Sequence, residues 1–179
     1  MRYLLALSRA IDGLNTCIAK LATWSVLIAC LISAGNAASR YTLSISSNAW
    51  LEIQWYLFGV MFLLGAAYTL KVNEHVRVDI IYSRLSPRNQ AWIDLLGGIL
   101  FMMPGIVIIG WMSWPFFVES YAIHEMSSNA GGLIRWPAKL LLPVGFGLLA
   151  LQGISEIIKR VAVLVGHVEL APKYEKPLQ

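Results

Sequence analysis

Three features of this sequence predict an all-α integral membrane protein with four transmembrane helices. Of its 179 residues, 58% are hydrophobic and 13% charged, where a soluble globular domain carries about 25% charged residues. Four apolar runs each reach the roughly 20 residues needed to cross a hydrocarbon core. The basic residues collect beside and between these runs rather than on one face. The formal net charge of +4 is therefore read as a topology signal and not as a nucleic-acid footprint. No second composition regime interrupts the chain, so residues 1–179 are expected to form a single membrane domain.

The first element is an amphipathic N-terminal helix. Leu4, Leu7, Ile11, Leu14 and Ile18 recur at spacings of three and four, with Arg9, Asp12, Asn15, Thr16 and Lys20 off that stripe. Two readings stay open: it lies on the cytoplasmic interface and turns near Lys20, or it continues span one into water. Arg9, Asp12 and Lys20 interrupt any signal-peptide core, so the first span is expected to be retained.

Span one covers residues 21–39, uncharged throughout. Ala29, Ser33 and Ala37 form a small-residue ridge at every fourth position, a surface that lets another helix approach closely. Asn36 is expected to face protein rather than lipid. Span two covers residues 49–70, with Trp50 and Trp55 as interfacial anchors and Glu52 and Gln54 in its first turns. Glu52 is expected to pair with Arg135 or Lys139, the basic residues on the same side.

Between spans two and three, residues 74–86 fit a short helix lying along the cytoplasmic interface. Val78, Ile81, Tyr82 and Leu85 share one face, and Glu74 with Arg77 and His75 with Asp79 can close local ion pairs. Pro87 is expected to end it. Span three covers residues 92–117, with Asp94 in its first turn, a kink at Pro104 and Trp111 and Trp114 at the outer interface. Residues 119–136 form the longest outside loop, holding Glu119, His124, Glu125, Asn129, Gly131 and Gly132. Span four covers residues 137–158 and ends in Glu156, Lys159 and Arg160.

Eleven of the 14 Lys and Arg residues then fall on one side of the membrane, leaving Arg40, Arg135 and Lys139 on the other. This bias predicts that both termini are cytoplasmic.

Several chemistries lack their residues. Cys17 and Cys30 form no CxxC pair, and His124-Glu125 has no second histidine for a zinc-protease helix. Gly145, Gly147 and Ala150 spell a dinucleotide fingerprint, but inside a span rather than after a strand. His75, His124 and His167 all lie outside the spans, where none faces another across a bundle to hold haem. Span one carries no carboxylate of the kind that couples a small drug/proton antiporter, and Glu52, Asp94 and Glu156 lie near span ends within reach of water or basic headgroup neighbours. No enzyme activity and no cofactor is expected. What remains is an accessory or scaffold subunit, with a self-associating small carrier built around Asn36 and Pro104 as the rival.

The motifs EHVRVD (Glu74–Asp79), LSPR (Leu85–Arg88) and WIDLLG (Trp92–Gly97), with Trp50 and Glu52 opening span two and GGL at Gly131–Leu133, resemble the small permease subunit (DctQ-type) of tripartite ATP-independent periplasmic (TRAP) transporters. The resemblance covers nearly the whole chain. It implies a scaffold for a large multi-span permease, supplied by a periplasmic substrate-binding protein, in sodium-gradient-driven uptake of an organic acid or related small solute across a bacterial inner membrane. On that reading Glu74, His75, Arg77, Asp79, Arg84 and Arg88 face the large permease or membrane lipids, and Glu52, Glu119, Arg135 and Lys139 serve outside contacts or ion pairs.

Overall fold

A computed structural model describes residues 1–74, 82 and 84–167 of the chain. Among these, α1 spans Arg2–Leu43, α2 Asn48–Val72, α3 Pro87–Gly97, α4 Met103–Ala122 and α5 Trp136–Leu164. A single π turn, Gly98–Met102, joins α3 to α4, making one long third helix. Four helices are therefore long and apolar enough to cross a membrane, and the fold is that of an all-α, multi-pass membrane protein.

Local chemistry sets the helix ends. α1 stops at Ser44, which takes a left-handed φ of 55°. Ser47 caps α2 by accepting a hydrogen bond from Ala49 N–H at 3.3 Å. Asn73, with φ 61°, closes the other end, where its N–H and that of Glu74 donate to the carbonyls of Leu70 and Thr69. Pro87 opens α3 at the first helical turn, where a missing N–H costs nothing, behind a Ser86 cap on Asn89 N–H; most of the element it was expected to end lies outside the described residues. Pro104 faces the carbonyl four residues before it, and the wider π turn immediately upstream accommodates its ring without breaking the helix.

The interior is built from small residues. Ala22, Ala29, Ala67 and Ala162 are buried, as are Ser25, Gly145 and Gly153, while Leu21, Trp24, Leu31, Phe62, Phe101 and Trp111 point outward. This inversion suits a lipid solvent, which gives large apolar side chains no reason to hide and rewards close helix approach. Gly145 marks a close backbone approach: a Cβ there would lie 2.9 Å from the Leu63 carbonyl oxygen on α2.

Of the small-residue ridge, Ala29 is buried with Ala22 and Ser25, while Ser33 and Ala37 are exposed on the loop-end third of α1. Of the two readings of the amphipathic segment, the structure has the continuous one: it forms the first turns of a single α1 of 42 residues, roughly 60 Å long. Its Leu4, Leu7 and Leu14 are exposed, and Ser8, Ile11 and Asn15 are buried against α5. The helices alternate in direction, so the first residues of α1 and α3 share one end, the basic end, with the last residues of α2 and α5. Most of the stretch expected as an interfacial helix at residues 74–86, including His75, Arg77 and Asp79, lies outside the described residues.

Candidate functional site

At the end opposite the basic one, the α4–α5 connection folds into a small hairpin. Arg135 N–H donates to the Glu125 carbonyl at 2.8 Å and Ser127 N–H to the Leu133 carbonyl at 3.0 Å. Met126 and Ile134 form an antiparallel bridge between these pairs. The turn needs Gly131, whose φ is +69°.

A single carboxylate holds this hairpin from inside. Glu52, in the second turn of α2, is only 5% exposed. One of its oxygens accepts from the Ser127 hydroxyl and from Asn129 Nδ2 at 2.8 Å, and the other accepts from Leu133 N–H at 2.7 Å. Gly132 has no room for a side chain, since a Cβ there would stand 2.9 Å from Glu52 Oε1. Asn48 adds a second tether, its Nδ2 donating to the Ala130 carbonyl at 2.9 Å. Behind the hairpin Lys139 binds Glu125 and lies 4.0 Å above the Phe116 ring. That ammonium keeps the Glu125 carboxyl below its ordinary range, with Arg135 adding a weaker attraction. The Trp114, Phe117, Tyr121 and Trp136 rings pack beside it.

The basic end holds a different cluster. Asn15 and Gln152 are fully buried, and Asn15 Nδ2 donates to Gln152 Oε1 at 2.8 Å. Gln152 Nε2 passes the network on to Asp12 Oδ1 at 2.9 Å and Glu156 Oε1 at 3.0 Å. Ser155 donates to Asp12 at 2.9 Å and meets the Ser8 hydroxyl at 2.7 Å. Lys159 bridges Asp12 at 2.8 Å and Glu156 at 2.7 Å. From α2, Lys71 reaches the Thr16 hydroxyl at 2.6 Å. Alongside, Arg160 pairs with Asp94 at 3.1 Å, and the Tyr82 hydroxyl donates to the same carboxylate at 2.9 Å. The two carboxylates and two ammonium groups of the central network cancel, so it closes as a neutral clasp between α1 and α5. One acceptor, Asn15 Oδ1, is buried without a partner among the described residues.

These contacts revise several expectations. Glu52 does not pair with Arg135 or Lys139: its oxygens are taken by hairpin donors, and Lys139 is claimed by Glu125. Glu156 has the basic neighbour expected near a span end, Lys159, whereas Glu52 is 5% exposed and enclosed by the hairpin. Glu119 is exposed at the end of α4, and Asn36 is half-buried. Glu74, Arg84 and Arg88 are exposed at the basic end, and the structure gathers them into no cluster among the described residues.

The residues that sequence reasoning passed over are Ser127 and Asn129 at one end and Asp12, Asn15 and Gln152 at the other. A signal was present in the second case. Asp12 and Asn15, with Ser8, recur at spacings of four and three, a polar stripe beside the leucines, and Gln152 and Glu156 are four apart on the partner helix.

Residues 18–163 match the family described as tripartite ATP-independent periplasmic transporters, DctQ component. A Haemophilus influenzae protein described as a TRAP transporter small permease protein is 27% identical over 108 residues, which are 59% of this chain and 64% of that protein. The chain thus spans a little under two thirds of the length of that relative. No solved structure matches. The chain belongs to the DctQ family, whose members are transport components rather than enzymes.

Proposed function

We propose that this member of the TRAP small-permease family works as a scaffold. It would bind a large many-span permease in a bacterial inner membrane, within a system that takes up an organic acid or related small solute. Uptake is sodium-driven and fed by a periplasmic binding protein. The basic end is cytoplasmic, with both termini there, following the excess of Lys and Arg. The hairpin end is periplasmic.

One observation carries the scaffold reading. Apart from Glu74 and Glu119, exposed at helix ends, the described carboxylates in and beside the spans, Asp12, Glu52, Asp94, Glu125 and Glu156, are each engaged by donors of the same chain. A coupling group in a carrier has to exchange partners with ion or substrate during its cycle. Carboxylates tied to one another across helices instead favour a rigid body against which another subunit moves. The large apolar side chains on the outer faces supply area for that subunit and for lipid.

On this reading Glu74, His75, Arg77, Asp79, Arg84 and Arg88 bear on the permease at the cytoplasmic side. The hairpin tip, braced by Glu52, meets the binding protein. Purification of the tagged chain from its native membrane in mild detergent tests the core of the proposal. A stoichiometric many-span partner is expected. Recovery only as a homo-oligomer that transports by itself overturns the scaffold and restores the small-carrier reading, in which Asn36 and Pro104 line a path. Replacing the hairpin with a neutral linker should reduce uptake when binding protein is limiting, and unchanged uptake would remove that contact.

A further inference from the structure

Beneath the hairpin, the first turns of α2 and α5 enclose a cleft of about 240 Å³ lined by Glu52, Trp55, Tyr56, Arg135, Ala138 and Lys139. All but one of its ionisable side chains have hydrogen-bond or ion-pair partners among the described residues. Glu52 is held by the hairpin, and the Tyr56 hydroxyl donates to the Ile134 carbonyl at 3.0 Å. Lys139 is bound to Glu125. The exception is the half-buried Arg135, whose guanidinium makes no hydrogen bond or ion pair with any described residue. It carries five N–H donors in a planar fork. Its backbone is held on both sides, N–H to the Glu125 carbonyl at 2.8 Å and carbonyl to Lys139 N–H at 3.3 Å. The fork is therefore mounted on a rigid base with its valences open.

Two further observations say what would fill it. The cleft lies at the level of Trp50, Trp55 and Trp136, all at the same end of their helices. Interfacial tryptophans sit at headgroup depth. Trp55 is 70% exposed, so one wall of the cleft is open sideways to lipid. A guanidinium fork matches the paired oxygens of a phosphate, and its weak hydration lets it act at a partly dry boundary. The volume suits a phosphate with its glycerol and not a whole lipid, whose tails would follow the outward apolar side chains of α2 and α5. Two carboxylates lie near enough to attract the same guanidinium: Glu125, whose charge is matched by Lys139, and Glu52, whose charge is spread over three hydrogen bonds and stands as the cost an anion here must meet.

We infer that Arg135, walled by Trp55 and Tyr56, holds the phosphate of one membrane phospholipid at the hairpin end of the α2–α5 seam. The site is independent of the scaffold reading, because it needs no other subunit. A soluble partner's carboxylate is the less favoured occupant: the fork lies below the hairpin and between two spans, whereas Ser128 to Gly131 form the tip.

Native mass spectrometry of the purified chain, stripped of lipid and titrated with phosphatidylglycerol, tests the assignment. Wild type should retain one lipid tightly. Arg135→Gln should weaken that retention about tenfold, the effect of losing a charge-assisted hydrogen bond. Arg135→Lys, which keeps the charge and removes the fork, should fall between the two and covers the case in which the glutamine variant fails to fold. Equal retention by wild type and Arg135→Lys together with Arg135→Gln overturns the assignment. Displacement of the lipid by millimolar inorganic phosphate also overturns it, by marking a free-anion site. So does weaker capture of a soluble binding protein by Arg135→Gln with lipid retention unchanged.

Discussion

The two ends of this molecule each engage a carboxylate, buried for Glu52 and half-buried for Asp12, and use it in opposite ways. At the hairpin end, Glu52 takes hydrogen bonds from Ser127, Asn129 and Leu133, all from one short loop. It organises a local segment that could open while the helices stay packed. At the basic end, Asp12 binds Gln152, Ser155 and Lys159, all on a helix more than a hundred residues away in sequence. It organises the bundle itself. The contrast teaches that burial of a charge does not say what the charge stabilises; the sequence separation of its partners does.

Gln152→Leu should have the largest effect. It orphans the buried Asn15 amide and removes donors from Asp12 and Glu156, a loss of about 3 kcal/mol, seen as a lower melting temperature in mild detergent. Adding Asn15→Leu should recover part of that loss, because two apolar side chains leave no unpaired amide. Additive destabilisation would break the idea of one connected network.

Asp12→Ala comes next, at about 2 kcal/mol. The value is below that of a fully buried pair because Lys159 keeps Glu156 and its side chain is 31% accessible. Amide hydrogen exchange should rise along the first turns of α1 and leave the hairpin unchanged.

Glu52→Ala should do the converse. Melting of the bundle changes little, while protease cutting within residues 123–135 accelerates, because the hairpin loses its internal acceptor. A variant that melts early but resists cutting would erase the distinction between the two ends.

The smallest effect is the acid dependence of the Glu125–Lys139 pair. Its folded-state carboxyl titrates below the ordinary value of 4.5. The stabilisation is thus complete above that value and is lost as pH falls through the lower folded one. Hairpin protection against an acid-active protease should hold steady from neutrality to about pH 5 and decline only below 4.5, and Glu125→Gln should flatten that decline.

Sequence alone determined the class and the order of the parts. Apolar runs and the excess of basic residues on one side specify four spans and a common end for the termini, because a bilayer penalises charge and unpaired backbone at every position along a span. The motifs around residues 74–97 and 131–133 pointed to the same family that the match over residues 18–163 shows. What the tertiary structure decided is which polar residues meet. Glu52 looked suited to the cations Arg135 and Lys139, yet neutral donors from the hairpin took it, because Gly131 and Gly132 let the backbone turn close over the carboxylate. The leucines of the first turns stand out as an apolar stripe, yet it is Ser8, Asp12 and Asn15 that face α5. In lipid, an outward leucine costs nothing and an outward asparagine costs a great deal. Hydrophobic periodicity therefore locates a span without saying which face packs, and only the partner helix supplies that answer.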